Sequence, residues 1–244
     1  MSPVASRLER EECWRKFMEF IDRHAQAPWL FRGLGSKDYE LVPKIGRERF
    51  DPAKERRILS NFERRCRPLL RRETLTQFDI LSIAQHHGLP TRLMDWTSNP
   101  LVAAYFAVSS KPPVLAADPA APEQAALSPD AAIMAYFIPA LRDMTDTNPF
   151  DLTEVTFAIP NGHVPRIVNQ KGFFSIHPDP SAPLHVRNVR RDCFVIPDRH
   201  RPFFRKKLFY LGIDTAHISA DLDGIGATLE WQYSNDIAVG NVNY

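Results

Sequence analysis

The chain has 244 residues, 44% hydrophobic and 25% charged, the balance of a globular protein with a sizeable core. A formal net charge of +2 excludes a polycation built to coat nucleic acid. No stretch approaches the ~20 apolar residues of a membrane helix, so a cytoplasmic protein with no membrane partner is expected.

The first predicted element is a helix over residues 6–25, with Trp14, Phe17, Met18 and Ile21 on one face. WLFRGLG at 29–35 is an apolar run ending in glycines and reads as a buried strand entering a turn. Asp51-Pro52 is a cap followed by a first-turn proline, and the helix it opens carries Ile58, Leu59, Phe62, Cys66 and Leu69 on one side until Pro68 kinks or ends it. Another helix spans 75–87 and stops at Gly88 and Pro90. Asn99-Pro100 repeats the cap signal and opens a helix through Ser109. Residues 111–131, rich in Ala and Pro without periodicity, read as a flexible surface loop.

Beyond that loop come short strands at 132–138, 155–159, 172–177 and 193–197, then helices over about 201–211 and 215–231. Helices first and strands later, without βα alternation, predict a single α+β domain with helices packed on a short-stranded, mainly antiparallel sheet. Cys13, Cys66 and Cys193 are odd in number and widely spaced, which suits free thiols rather than a disulfide framework or a zinc site, and no metal is expected.

Polar groups concentrate in QHHGLPTRLMDWTSNPLVAAYFA, residues 85–107. Read singly they are ordinary. His87 falls on the apolar face of its helix and His86 off it; Asp95 and Arg92 suit an ion pair pinning a loop; Thr97, Ser98 and Asn99 suit cap chemistry. Together they are harder to dismiss, because each buried hydrogen bond left unmade costs about 1–3 kcal/mol. Such groups either satisfy one another or meet a ligand. Arg32, inside the apolar run Phe31-Arg32-Gly33, also wants an anionic partner.

Four ordered stretches resemble the FRG-domain family, named for its Phe-Arg-Gly motif. They are WLFRGLGSKDYELVPKIGR at 29–47, AQHHGLPTRLMDWTSNPLVAAYFA at 84–107, RIVNQKGFFSIH at 166–177 and DLDGIGATL at 221–229. The resemblance implies an N-terminal helix over 1–28 and an FRG-like domain over 29–244. A more distant similarity, to ADP-ribosyltransferases, implies their architecture, with NAD as substrate or ligand. It would place Arg32 and Gly33 on the pyrophosphate. Thr97 and Ser98 would bind ribose hydroxyls, Trp96 or Phe174 would stack on nicotinamide or adenine, and Thr91, Arg92 and Asp95 would complete the cofactor site. Catalytic candidates are His86, His87, Gln170 and Glu230, with Glu154 a further carboxylate. The third motif offers Asn169 and Gln170 where those enzymes carry a glutamate, and an amide stabilises a ribosyl cation poorly.

Three readings follow. The first is an NAD-consuming or ADP-ribosylating effector of a bacterial defence or toxin system, with a protein or nucleic-acid acceptor. The second is a nucleic-acid binder or nuclease-like effector using the basic runs at 64–72 and 199–207. The third is a non-catalytic nucleotide sensor. Arg32, the 86–98 segment and the 169–175 segment are expected to border one cleft.

Overall fold

The computed structural model describes residues 3–24, 28–70, 75–110, 129–161 and 168–237; the Ala/Pro-rich run at 111–128 lies outside them. The fold is α+β. Its six strands are β1 (Trp29–Leu34), β2 (Leu93–Thr97), β3 (Ala131–Phe137), β4 (Thr156–Ala158), β5 (Gly172–Ile176) and β6 (Cys193–Ile196). They form one sheet in the order β4-β5-β2-β1-β3-β6, with every pairing antiparallel.

The helices among the described residues are α1 (Pro3–His24), α2 (Glu55–Cys66), α3 (Gln77–His86), α4 (Pro100–Ser109), α5 (Val189–Asp192), α6 (Arg201–Tyr210), α7 (Thr215–Ser219) and α8 (Leu222–Ser234). Their starts follow local chemistry. Thr76 and Asp79 close a reciprocal capping box on α3, and Asn99 caps α4 ahead of Pro100. Asp51 caps a 3-10 turn, Pro52–Lys54, that leads into α2. The single helix expected over 215–231 is instead α7 and α8. They are separated at Ala220, whose φ of 56° breaks the helix, and capped separately by Asp214 and Asp221.

Leu93–Thr97, expected as a loop, is a central strand. LMDWT is buried on both sides except at Asp95, so it lacks the alternation that marks a half-exposed strand. Cys13, Cys66 and Cys193 are free thiols.

Alternate strand residues feed opposite sides of the sheet. On one side Phe31, Ile133 and Ala135 pack against Phe17 and Phe20 of α1, Val102–Ala104 of α4 and Phe204 and Leu208 of α6. Also there, Leu93, Phe174, Ile176 and Ala158 pack against Leu59 of α2 and Phe78, Leu81 and Ala84 of α3. The helical layer is therefore two groups, one over each half of the sheet. On the other side Leu30, Met94, Trp96, Met134 and Phe157 form a third cluster. Tyr136 of β3 stacks on Phe157 of β4 at 5.3 Å, although three strands separate them. Flat, those strands would lie about 19 Å apart. The sheet curls around this cluster.

The two halves of the sheet barely touch. β1 pairs with β3 at six positions and β2 with β5 at five, but β1 meets β2 only at Phe31↔Thr97. On either side of that bridge the strands part.

Candidate functional site

On one side of the bridge the parting forms a cavity of about 300 Å³. Arg32 and Gly33 of β1, Asp95 and Thr97 of β2, Gln85 and His86 of α3, Ala103 and Phe106 of α4, and Gln170 are among its lining residues. It opens where the two helix groups separate. Residues distant in sequence converge here because the strand pairing that would close the gap is missing.

Arg32 occupies the gap. Its Nη1 donates to the backbone carbonyl of Asp95, a group left unpaired by the parted strands, and lies 3.7 Å from Asp95 Oδ2. Its Nε is buried without a hydrogen-bond partner. Burial pulls the guanidinium's pKa below its ordinary value, aided by Arg47 and opposed by Asp95, yet arginine stays a cation. Asp95 is 60% exposed at its side chain and also accepts from Gln85 Nε2 at 3.2 Å.

The expected Arg92–Asp95 pair does not form. Three residues apart on a strand, the two side chains leave opposite faces. Arg92 instead donates from Nε to Glu55 Oε2 at 3.0 Å and from its backbone N–H to Oε1 at 2.7 Å, with its guanidinium 4.2 Å from the Phe150 ring centre. Glu55 is 2% exposed, and burial raises its carboxyl pKa against the pull of Arg92. This pair fixes α2 to β2, away from the cavity lining.

Gly33 has a different reason for being glycine than a ligand's approach. A Cβ there would lie 2.0 Å from the Ala103 carbonyl oxygen, so the residue lets α4 lie directly on β1. Thr91 is fully buried, donating to Gln85 Oε1 at 2.7 Å and accepting from the Leu93 N–H at 3.1 Å, and it lies off the cavity lining.

The histidines exchange their expected positions. α3 ends at His86, which is half-buried and lines the cavity. His87 caps the helix and is exposed, because Gly88 at φ 84° turns the chain away before the apolar face reaches residue 87.

Trp96 and Phe174 border the cavity but are each 3% exposed. The Trp96 indole donates to Ser175 Oγ at 2.9 Å and packs with Tyr136 and Phe157, while Phe174 packs edge-on against Phe78. Phe106 is the lining aromatic that keeps exposed surface. Thr97 donates to the Gln170 carbonyl at 2.6 Å, so its hydroxyl ties the 170 turn to β2. Gln170 turns its own amide to the Ile218 carbonyl at 2.9 Å. Ser98 is exposed and lines a separate apolar cavity of about 480 Å³ with Trp29, Leu30 and Phe173, on the other side of the bridge.

The alternative carboxylates lie elsewhere. Glu230 is exposed on α8, two residues past the buried Thr228 and so off that helix's packed face. Glu154 lines a groove beside β4. Asp95 is the carboxylate of the cavity lining among the described residues. No three His, Cys, Asp or Glu among those residues gather as metal ligands.

The basic runs are largely engaged. Arg67 meets Glu63 and Arg199 meets Glu9. Arg201 is 8% exposed and donates to the carbonyls of Gly35, Ala107 and Pro129, while Arg71 and Arg72 lie outside the described residues.

Sequence reasoning missed two lining residues and one buried histidine outside the lining. Gln85 bridges Asp95 and Thr91, Phe106 supplies the exposed ring, and His177 is fully buried with Nε2 2.9 Å from Ser175 Oγ and Nδ1 unpaired. Burial and the charges of Arg32 and Arg92 push the His177 pKa down to about 4. Gln85 and Phe106 fall inside the motif-rich 85–107 stretch; His177 had no signal beyond ending a strand.

No helix among the described residues is long and apolar enough to cross a membrane. No curated protein and no solved structure matches the chain. The FRG domain family model matches residues 27–114, the stretch that contributes β1, the Gln85–His86 end of α3, β2 and α4 to the cavity wall.

Proposed function

We propose that the cleft between β1 and β2 binds an NAD-type dinucleotide, with Arg32 on its pyrophosphate. The observation that carries this reading is the state of the guanidinium. One nitrogen is held by the Asp95 carbonyl, Nε is buried and unpaired, and no hydrogen bond engages Nη2 among the described residues. That leaves two parallel N–H donors on one edge, the arrangement that takes a phosphate in a bidentate grip. A buried donor without a partner costs about 1–3 kcal/mol, which an anion would relieve.

The cavity is at the small end of ligand pockets, so it encloses one half of a dinucleotide and leaves the other outside. Phe106 offers a ring face to that enclosed half. The distant resemblance to ADP-ribosyltransferases supports NAD over other phosphate-bearing ligands.

The chemistry around the ribose favours holding over cleavage. Breaking the nicotinamide–ribose bond sends the electron pair out with nicotinamide and leaves positive charge on the ribose. A free carboxylate would stabilise that charge. Asp95 lies 3.7 Å from the Arg32 cation and accepts from Gln85, and Gln170 has only an amide, fixed to Ile218. The reading is therefore a nucleotide sensor with slow or no turnover.

Calorimetric titration with NAD and with ADP-ribose tests it: both bind the parent, Arg32→Ala weakens both about tenfold or more, and the melting temperature of the free variant barely moves. Equal binding by parent and variant would refute the assignment. Brisk nicotinamide release by the parent would replace the sensor with an enzyme.

A further inference from the structure

A third and larger concavity, of about 840 Å³, runs between the end of β3, the start of β4 and the segments around Arg142 and Arg187. Its residues are not those of the Arg32 cleft. Two of its arginines hold no protein partner among the described residues. Arg191 is engaged by Asp192 and lies over Trp29, but the side chains of Arg142 and Arg187 make no ion pair or hydrogen bond among the described residues.

The wall between them is aromatic. Tyr136 lies near enough to Arg187 for that charge to pull its hydroxyl pKa down, although burial wins and raises it, and the hydroxyl itself has no hydrogen-bond partner among the described residues. Phe137, which leaves the opposite face of β3 from Tyr136, is 50% exposed beside Trp29 with ring centres 5.5 Å apart, so the groove wraps the end of the strand. Glu154 contributes a carboxylate to the same groove.

We propose that this groove is a second binding site, for a nucleoside phosphate. Unpaired guanidinium forks take the phosphate oxygens, and the exposed Phe137 ring takes the face of a base. A carboxylate accepts from ribose hydroxyls. An acidic peptide would use the arginines but leave the Phe137 ring and the Glu154 acceptor without a partner. The phosphate can come from a free nucleotide or from an exposed unit of single-stranded nucleic acid.

The test uses the full chain carrying Arg32→Ala, so that the first cleft does not contribute. AMP, inorganic phosphate and a labelled 12-nucleotide oligomer are titrated into this protein and into versions further changed by Arg142→Ala with Arg187→Ala, or by Phe137→Ser. AMP is expected to bind, the arginine pair to weaken it about tenfold or more, and Phe137→Ser to weaken AMP but not phosphate. Tighter binding of the oligomer, falling steeply with salt, assigns the source to a strand; AMP as tight as the oligomer assigns it to free nucleotide. No AMP binding in the Arg32→Ala background overturns the proposal. So does binding untouched by the arginine changes, or phosphate binding as tightly as AMP.

Discussion

Removing the Glu55 side chain separates scaffold from site. Glu55→Ala leaves the Arg92 guanidinium, 11% exposed, without its counter-charge and strips the Arg92 backbone N–H of its acceptor. Breaking a buried pair from one side costs roughly 3–5 kcal/mol. Asp95→Ala removes a carboxylate that is 60% exposed and 3.7 Å from its partner, where a pair is worth under about 1 kcal/mol. Moreover, Arg32 keeps its bond to the Asp95 backbone carbonyl whatever the side chain. Urea denaturation of parent, Glu55→Ala, Glu55→Gln and Asp95→Ala at pH 7 gives the comparison. Glu55→Gln retains an acceptor for the Arg92 N–H, so it should fall between the other two. Equal losses for Glu55→Ala and Asp95→Ala, or a Glu55→Ala protein as stable as the parent, would refute the division of roles.

Gly33→Ala should cost at least about 1–3 kcal/mol in the same assay, since its new Cβ meets backbone atoms of α4 that cannot rotate aside; an unchanged midpoint would show that α4 does not rest there. His177 should make stability depend on pH. Its folded pKa of about 4 lies below the ordinary 6.5, so the unfolded chain binds the proton first. The contribution is complete above about pH 6.5 and is lost, by about 3 kcal/mol, as pH falls to 4. Stability curves of parent and His177→Gln that stay parallel over that range would contradict it. Gln170→Glu loses the donor to the Ile218 carbonyl, lowering stability by about 1–3 kcal/mol, and repulsion from that carbonyl turns the new carboxylate into the cavity. Nicotinamide release should rise above the parent's; no rise would place the reacting ribose away from residue 170.

What could be read from the sequence was whatever the local chain decides. Caps at Asp51 and Asn99, the stop at Gly88 and the apolar strands each carry their cause within a few residues. Of the polar stretch at 85–98, Gln85, His86 and Asp95–Thr97 line the cavity. Individual partners were not legible, because they are set by pairing across the fold. Glu55 is 37 residues from Arg92, and nothing in its own helix distinguishes it from the half-buried Glu63. Trp96 looked like a ligand's stacking partner until the curl of the sheet brought Tyr136 and Phe157 around it. His87 failed through a single residue of helix length.

The lone Phe31↔Thr97 bridge has a mechanical corollary. Two half-sheets pinned at one point behave as a see-saw, with the Arg32 cavity at one end and the apolar cavity beside Ser98 at the other. A tilt that squeezes one end pries the other apart. The two cavities share no lining residue but the pivot Phe31, so widening either one bears on the same bridge.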